Sequence, residues 1–234
     1  WRPAMHYRWS YTPDAAVNSL RFQKSLLKGS PGPNWLKSLM AKWRQRSEYV
    51  KGDGVPKDTW EHVESIYLNT LDWMEDILQD KPFLLGEKPC LVDYGFMGSM
   101  FRHYSIDPTP AKIMRDRAPH VYLWVARMWT AKSSDYADKT WDYNSGELPE
   151  LWKPFMKDLC EAYLPYLLEN ARAWQNSQPK CTYTVKGVTY KNTKTYDYRV
   201  WCREQLHKHF DELPDEVREK VKSTLVEFGG WEAF

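Results

Sequence analysis

The segment Phe83-Leu84-Leu85-Gly86-Glu87-Lys88-Pro89-Cys90-Leu91-Val92-Asp93 carries the most information about the fold of this 234-residue chain. Its first half is a short apolar turn, and its second half leads into a helix that is predicted from about Leu91 to Tyr104. Asp93 lies in the first turn of that helix, where backbone amide groups are free to bond a carboxylate and the helix dipole favours negative charge. We therefore expect Asp93 to be a buried structural residue and not a catalytic one.

Helix signals also precede this segment. Thr12-Pro13-Asp14 is typical of a helix start, with a Thr cap and Pro at the first helical position, and the helix is expected to run to about Gly29. Residues 30–33 contain two prolines and a glycine that end it, and a second helix is predicted over residues 34–51. Asp58-Thr59-Trp60-Glu61 indicates a capping box that opens a third helix. Apolar residues then repeat every three or four positions as one buried stripe, formed by Val63, Ile66, Tyr67, Leu71, Met74, Ile77 and Leu78.

The sequence after Asp93 is also mostly helical. Short helices are predicted to begin at Thr109 and at Pro119. Residues 132–148 are polar and predict a loop. A long helix is predicted over residues 149–176, and Pro165 is expected to kink it or split it in two.

One strand signal follows near the C-terminal part of the chain. Residues 181–190 are rich in β-branched and aromatic side chains that flank Lys186-Gly187, which predicts a β-hairpin with a tight turn. Helices are predicted over residues 196–213 and 214–228. The predicted class is all-α with one small β-hairpin.

Composition excludes several classes of protein. The 33 Lys and Arg nearly balance the 31 Asp and Glu, which argues against a dedicated nucleic-acid binder. No stretch approaches the roughly 18 consecutive apolar residues of a transmembrane helix, so no membrane span is predicted. The 13 Trp, 15 Tyr and 8 Phe argue against disorder, because disordered chains are poor in aromatic residues.

The four cysteines predict neither a metal site nor a redox motif. Cys90, Cys160, Cys181 and Cys202 are too far apart for a C-x-x-C or zinc spacing. Free thiols favour a reducing intracellular compartment, which is the cytoplasm or, as the alternative, the mitochondrion.

Two stretches resemble the C-terminal helical domain of the glutathione transferase superfamily. Residues 83–93 are similar to the family segment in which an apolar turn, a Pro and an Asp lead into the central core helix. Residues 118–128 resemble the family helix that packs behind it. Tyr7-Arg8-Trp9 and residues 198–202 are similar to a long bacterial-type subgroup of this superfamily.

The resemblance implies how the chain is organised. Residues 1–131 are expected to form a glutathione-transferase C-terminal-type helical bundle, and residues 132–234 a helical extension that includes the hairpin and packs on the same domain. In the family, the thiol-activating residue and most glutathione contacts lie in an N-terminal thioredoxin-like domain, whose strand pattern this chain lacks. We therefore expect no catalytic residue and no bound cofactor in the chain itself, and glutathione binding only where such a domain precedes Trp1.

The resemblance also implies roles for individual residues. Cys90 takes the cap position where the family has Ser or Thr, and it is expected to pair with Asp93. Because a thiol is a weak acceptor, this cap is expected to stabilise less than a hydroxyl cap, which contributes about 1 kcal/mol. Tyr7, Arg8 and Trp9 are candidates for the wall of the electrophile pocket, and helix packing in a Trp-rich core is the alternative.

Positive charge is uneven along the chain. Residues 15–47 contain seven basic side chains and no acidic one: Arg21, Lys24, Lys28, Lys37, Lys42, Arg44 and Arg46. A second cluster surrounds the hairpin and has Asp197 as its acid: Lys180, Lys186, Lys191, Lys194 and Arg199. These clusters are either solvated helix faces or surfaces for an anionic partner, such as an acidic subunit or the face of a membrane.

Two hypotheses of function follow. The first is a glutathione-transferase-like domain that is not catalytic by itself and acts as a structural subunit, through protein partners or a homodimer contact of its aromatic and basic N-terminal helices. The second is the substrate-pocket domain of a glutathione S-transferase whose thioredoxin-like domain is missing from this chain. An interface is expected to include several of the N-terminal tryptophans, which are Trp1, Trp9, Trp35, Trp43 and Trp60.

Overall fold

The computed structural model describes residues 2–142 and 147–234. Two compact units divide the chain, Trp1–Asp142 and Tyr143–Phe234. Trp1 of the predicted interface and residues 143–146 of the predicted polar loop lie outside the described residues. The sequence predicted a family-type core over residues 1–131 and an extension over residues 132–234. A division into compact units does not test which residues belong to the family core, so that boundary stays a prediction.

The first unit is a bundle of helices around α4. Its helices are α1 (Arg2–Ser10), α2 (Thr12–Lys24), α3 (Asn34–Arg44), α4 (Trp60–Leu78), α5 (Leu91–Ser99), α6 (Pro108–Arg117) and α7 (Pro119–Thr130). The helix α4 packs against α1, α6 and α7. Most of its predicted apolar stripe is buried, with Val63, Leu71 and Met74 fully enclosed, because these positions share one face of the helix.

Two predicted helix starts are wrong in detail. A 3₁₀ turn over Lys57–Thr59 precedes α4, and the Thr59 hydroxyl donates to the carbonyl of Gly54 at 3.1 Å instead of capping the helix. The capping box at Asp58 therefore does not form. Tyr11, and not Thr12, is the cap residue of α2, which ends at Lys24 and not near Gly29.

Wider π-helical turns extend three of the helices. They cover Gln45–Lys51 after α3, Met100–Tyr104 after α5, and Leu159–Tyr163 in the second unit. The last of these ends at Tyr163, two residues before Pro165. Because Pro165 has no N–H to donate, the α-helical ladder is interrupted there, and the long helix predicted over residues 149–176 is split as expected.

The second unit combines helices with a hairpin. Its elements are α8 (Lys153–Asp158), α9 (Leu164–Gln175), β1 (Lys180–Val185), β2 (Val188–Lys194), α10 (Asp197–Asp211) and α11 (Asp215–Glu227). The strands β1 and β2 pair antiparallel around Lys186 and Gly187, whose φ angles of 49° and 76° are those of a tight hairpin turn. The predicted all-α class with one β-hairpin is confirmed.

Side chains from distant elements hold the second unit together. Tyr183 of β1 packs on Tyr166 of α9, with ring centroids 4.9 Å apart. A separate cluster joins Cys160, Leu164 and Leu225 to the C-terminal aromatic residues. Of the helices in the part of the chain that the structure describes, none combines the length and apolar composition that crossing a bilayer requires.

Candidate functional site

Asp93 lies at the centre of the first unit and is fully buried. Its carboxylate accepts hydrogen bonds from the amides of Leu84 and Cys90, at 3.1 and 2.9 Å, and from the indole Nε1 of Trp124 at 2.9 Å. These donors belong to the apolar turn, the start of α5 and the middle of α7. The carboxylate therefore joins three separate segments, and its lone pairs are occupied by structural bonds.

The Cys90 thiol takes part in the same network. Its Sγ lies 3.0 Å from Oδ2 of Asp93 and donates to it. The thiol also faces the backbone N–H of Asp93 in a capping box, so it is a weak acceptor at the cap position, as expected, and a donor as well. Burial, followed by the hydrogen bond to Asp93, raises the pKa of Cys90 to about 11. The thiol is therefore protonated at neutral pH, which does not suit a nucleophile.

Tyr7, Arg8 and Trp9 lie on α1 and face the interior of the bundle. Tyr7 and Trp9 are buried, and the Tyr7 ring packs edge-on against Tyr67 at 5.5 Å. Burial raises the pKa of Tyr7 well above its usual range. The burial of Trp9 removes it from the predicted interface, because an enclosed side chain has no surface to offer. The pocket-wall role of the three residues stays a prediction.

The guanidinium of Arg8 belongs to an ionic cluster around the buried carboxylate of Asp107. Arg8 and Arg21 bind the two carboxylate oxygens at 2.7 and 2.9 Å, and the Asn18 amide donates at 3.0 Å. Asp14 adds a bond from the amide of Thr109 at 3.0 Å. The cluster fastens α1 and α2 to the start of α6, so Arg8 and Arg21 serve a structural purpose.

The helix α3 has an unusual orientation, because its apolar side chains point to solvent. Trp35 is 69 % exposed and Trp43 is 71 % exposed. Leu36, Leu39 and Met40 are exposed as well, and Ala41 is the buried residue of this helix. With about 100° between successive residues, the five exposed apolar side chains span an arc of about 140°. We call these five residues the α3 surface.

Short and polar contacts hold the inner face of α3. The Gln23 amide of α2 donates to the Asn34 carbonyl at 3.1 Å and also reaches the Ser38 hydroxyl. Farther along, Arg46 in the π-helical turn donates to the backbone carbonyl of Trp9 at 2.7 Å. The orientation of α3 is thus fixed by specific bonds, with its apolar side outward.

Cations line both borders of the α3 surface. By helical geometry, Lys42 lies beside Trp35, whereas Lys37 and Arg44 lie beyond Met40. None of these three cations forms an ion pair with any residue in the described ranges 2–142 and 147–234. Trp35 and Trp43, which the sequence placed in an interface, are exposed. The cations beside them give this surface a positive charge.

An open cavity of about 280 Å³ lies between the start of α5 and the residues after α7. Lys88, Tyr94, Lys132, Tyr136 and Trp141 are among its lining residues, and the Lys88 Nζ stands 3.7 Å from the Trp141 ring centre. Sequence reasoning missed this cavity because its two walls are far apart along the chain. None of the described residues that line it is buried, so the cavity is open to solvent.

Comparison with known proteins places part of the first unit in a family. A family model described as the C-terminal domain of glutathione S-transferase matches residues 43–131. This segment is a glutathione S-transferase C-terminal domain. No curated protein and no solved structure matches the chain.

The glutathione S-transferase C-terminal domain contains Asp93 and Cys90, and the α3 surface lies at its N-terminal edge. Residues 83–93 and 118–128, which resemble the family in sequence, both lie within the match. The match begins at Trp43, so the other four members of the α3 surface precede it. The family assignment therefore explains the fold around Asp93 and leaves the purpose of the α3 surface open.

Three members of the basic cluster near the hairpin contact residues of the second unit. Lys186 forms an ion pair with Asp158, and the Arg199 guanidinium lies 4.7 Å from the Tyr166 ring centre. Lys194 stands 5.4 Å from the ring centre of Tyr196. Lys180 and Lys191 of this cluster are exposed, so the region near the hairpin also presents positive charge to solvent.

Proposed function

We propose that this chain is a glutathione-transferase-like helical domain that is not catalytic by itself and acts as an interaction subunit of a larger assembly. The α3 surface is the docking site. The observation that carries the proposal is the orientation of α3, which exposes five large apolar side chains and buries Ala41. Contiguous apolar patches of this kind mark interaction sites, because leaving them in water is unfavourable.

The state of the reactive side chains supports the same proposal. The Asp93 carboxylate and the Cys90 thiol bond each other, and the Arg8 guanidinium bonds Asp107. Chemistry at any of these groups would require breaking bonds that hold the bundle together. The four free cysteines favour a reducing compartment, the cytoplasm or alternatively the mitochondrion.

A second candidate function is the substrate-pocket domain of a glutathione S-transferase. The family match over residues 43–131 favours it. In that case the thiol-activating residue and the glutathione site belong to a thioredoxin-like domain outside this sequence. Glutathione would be the cofactor, and Tyr7, Arg8 and Trp9 would lie near the bound electrophile.

Copurification and activity distinguish the two functions. The tagged chain is purified from its source cells as the native protein and as a Trp35→Ala/Trp43→Ala variant. We expect a stoichiometric partner with the native chain and none with the variant. Trp174→Ala removes a similarly exposed tryptophan of the second unit and serves as the matched control. Conjugation of glutathione to an electrophile by the purified chain would contradict the proposal.

A further inference from the structure

The shape of the α3 surface indicates what kind of element docks on it. Trp35, Leu39 and Trp43 are spaced by four residues and form one ridge, and Leu36 and Met40 form a second ridge beside it. Ridges of residues four apart are the features that interlock with the grooves of another α-helix. From Trp35 to Trp43 the ridge is about 12 Å long, which is roughly two turns of helix.

The charges around these ridges indicate the sign of the charge that the docking helix should carry. Lys42 borders one side of the ridges, and Lys37 and Arg44 border the other. The sequence has no acidic residue from position 15 to position 47, and within the described residues these three cations form no ion pair, with Glu48 the nearest acid in sequence. Charge complementarity across an interface favours an occupant with Asp or Glu on both sides of its apolar stripe.

We infer that the α3 surface binds an acidic amphipathic helix of a partner protein, with the partner's apolar stripe between Lys42 on one side and Lys37 and Arg44 on the other. This inference rests on the proposed function. A second copy of the chain fits less well, because a two-fold contact through α3 would bring the same cations face to face. A membrane surface would attract the cations but has no grooves for two ridges.

Site-specific photocrosslinking tests the inference in the full chain. The photoreactive residue p-benzoylphenylalanine replaces Leu39, the chain is expressed in its source cells, and the crosslinked segment is identified by mass spectrometry. We expect a segment of a different protein that has an apolar stripe bordered by Asp and Glu. The same photoreactive residue in place of Asn69, an exposed position on α4, controls for random collisions.

A charge swap then tests the electrostatic part of the inference. The crosslinked segment is synthesised as a peptide, and its affinity for the full chain is measured by fluorescence anisotropy. Lys37→Glu/Arg44→Glu is expected to weaken binding at least about tenfold, and a peptide with Lys in place of its acidic residues is expected to restore it. Lys57→Glu, at an exposed lysine of the 3₁₀ turn, is the control and leaves the affinity unchanged.

The outcomes separate this inference from the proposed function. A crosslink to a second copy of the chain, or to a neutral or basic segment of another protein, overturns the acidic helix and leaves the α3 surface as a docking site. Crosslinking to lipid overturns both. Equal yields at Leu39 and Asn69 also overturn both, because the α3 surface is then no preferred contact.

Discussion

Asp93 shows how one residue organises the interior of the first unit. Its carboxylate gathers two backbone amides, an indole and a thiol from three segments. A buried carboxylate without donors is strongly unfavourable, so each of these bonds favours the conformation that supplies it. The residue thereby ties the apolar turn at residues 83–86 to α5 and α7.

Replacing Asp93 with Asn is expected to destabilise the first unit. The amide nitrogen cannot accept the bonds that one carboxylate oxygen accepts, and buried donors are left without a partner. We expect Asp93→Asn to lower the free energy of unfolding by about 2–3 kcal/mol, measured by urea unfolding. Asp116→Asn, which removes an exposed carboxylate paired with Lys112, is expected to change it by less than about 0.5 kcal/mol. Equal effects of the two changes would contradict the structural role of Asp93.

His103 is expected to give the protein a measurable pH dependence. Burial and then the nearby Arg8 lower the pKa of His103 from 6.5 to about 4. Between these values the unfolded chain binds a proton that the native protein does not, so the free energy of unfolding falls as the pH falls from about 6.5 to about 4. One such group contributes at most about 1.4 kcal/mol per pH unit.

The measurement compares urea unfolding of the native chain and of His103→Gln at several pH values in that window. The variant is expected to lose part of the slope, because glutamine does not titrate. Burial also lowers the pKa of His6, so some slope remains in the variant. An unchanged slope would show that His103 is accessible to protons in the native state.

At the scale of elements, α3 is the part that departs most from a normal bundle helix. Its apolar residues face solvent, and its inner face is held by Ala41 and by the bonds from Gln23. Truncating an outward residue should therefore cost the fold little. We expect Leu39→Ala to change the free energy of unfolding by less than about 0.5 kcal/mol, whereas Leu71→Ala in α4 lowers it by about 2–5 kcal/mol.

Urea unfolding of both leucine variants checks this prediction directly. A loss of several kcal/mol for Leu39→Ala would mean that Leu39 packs inside the chain, and the α3 surface would not exist in solution. The comparison is matched because both changes delete the same atoms. Only the burial of the side chain differs between them, from 58 % exposed at Leu39 to 0 % at Leu71.

The hairpin turn of the second unit allows a test of backbone conformation. Gly187 has a φ of 76°, in the left-handed region where a β-carbon is unfavourable. We expect Gly187→Ala to lower the free energy of unfolding by about 1–2 kcal/mol, seen as a lower Tm. A β-carbon added at Gly98 in α5 would have no atom within 4 Å. Gly98→Ala is therefore expected to raise the free energy of unfolding by about 0.5–1 kcal/mol through helix propensity. A neutral effect at Gly187 would argue against the tight turn.

At the scale of the whole molecule, the four thiols should differ in reactivity. Cys90, Cys160 and Cys181 are buried, and Cys202 is partly exposed. Burial also raises the pKa of Cys160. With Ellman's reagent at pH 8 we expect one fast thiol in the native protein and four after unfolding. Cys202→Ser is expected to remove the fast reaction, and a fast phase in that variant would place another thiol at the surface.

The sequence alone determined the helical class, the hairpin and the family segment. These features depend on local patterns: apolar residues three and four apart, Lys186-Gly187 between β-branched runs, and the residues 83–93. Local rules failed at helix starts. Thr59 bonds the Gly54 carbonyl instead of capping α4, because the turn between residues 54 and 59 places that acceptor within reach.

Only the tertiary structure decided which aromatic and charged residues remain available. The sequence grouped Trp9 with Trp35 and Trp43, and Arg21 with Lys37. In the fold, Trp9 is enclosed and Arg21 binds Asp107, a residue far along the chain. Burial and ion pairing depend on which distant segments meet, and a local pattern does not contain that information. The sequence thus located the aromatic and basic region, and the packing of α2 and α3 selected the side of it that faces outward.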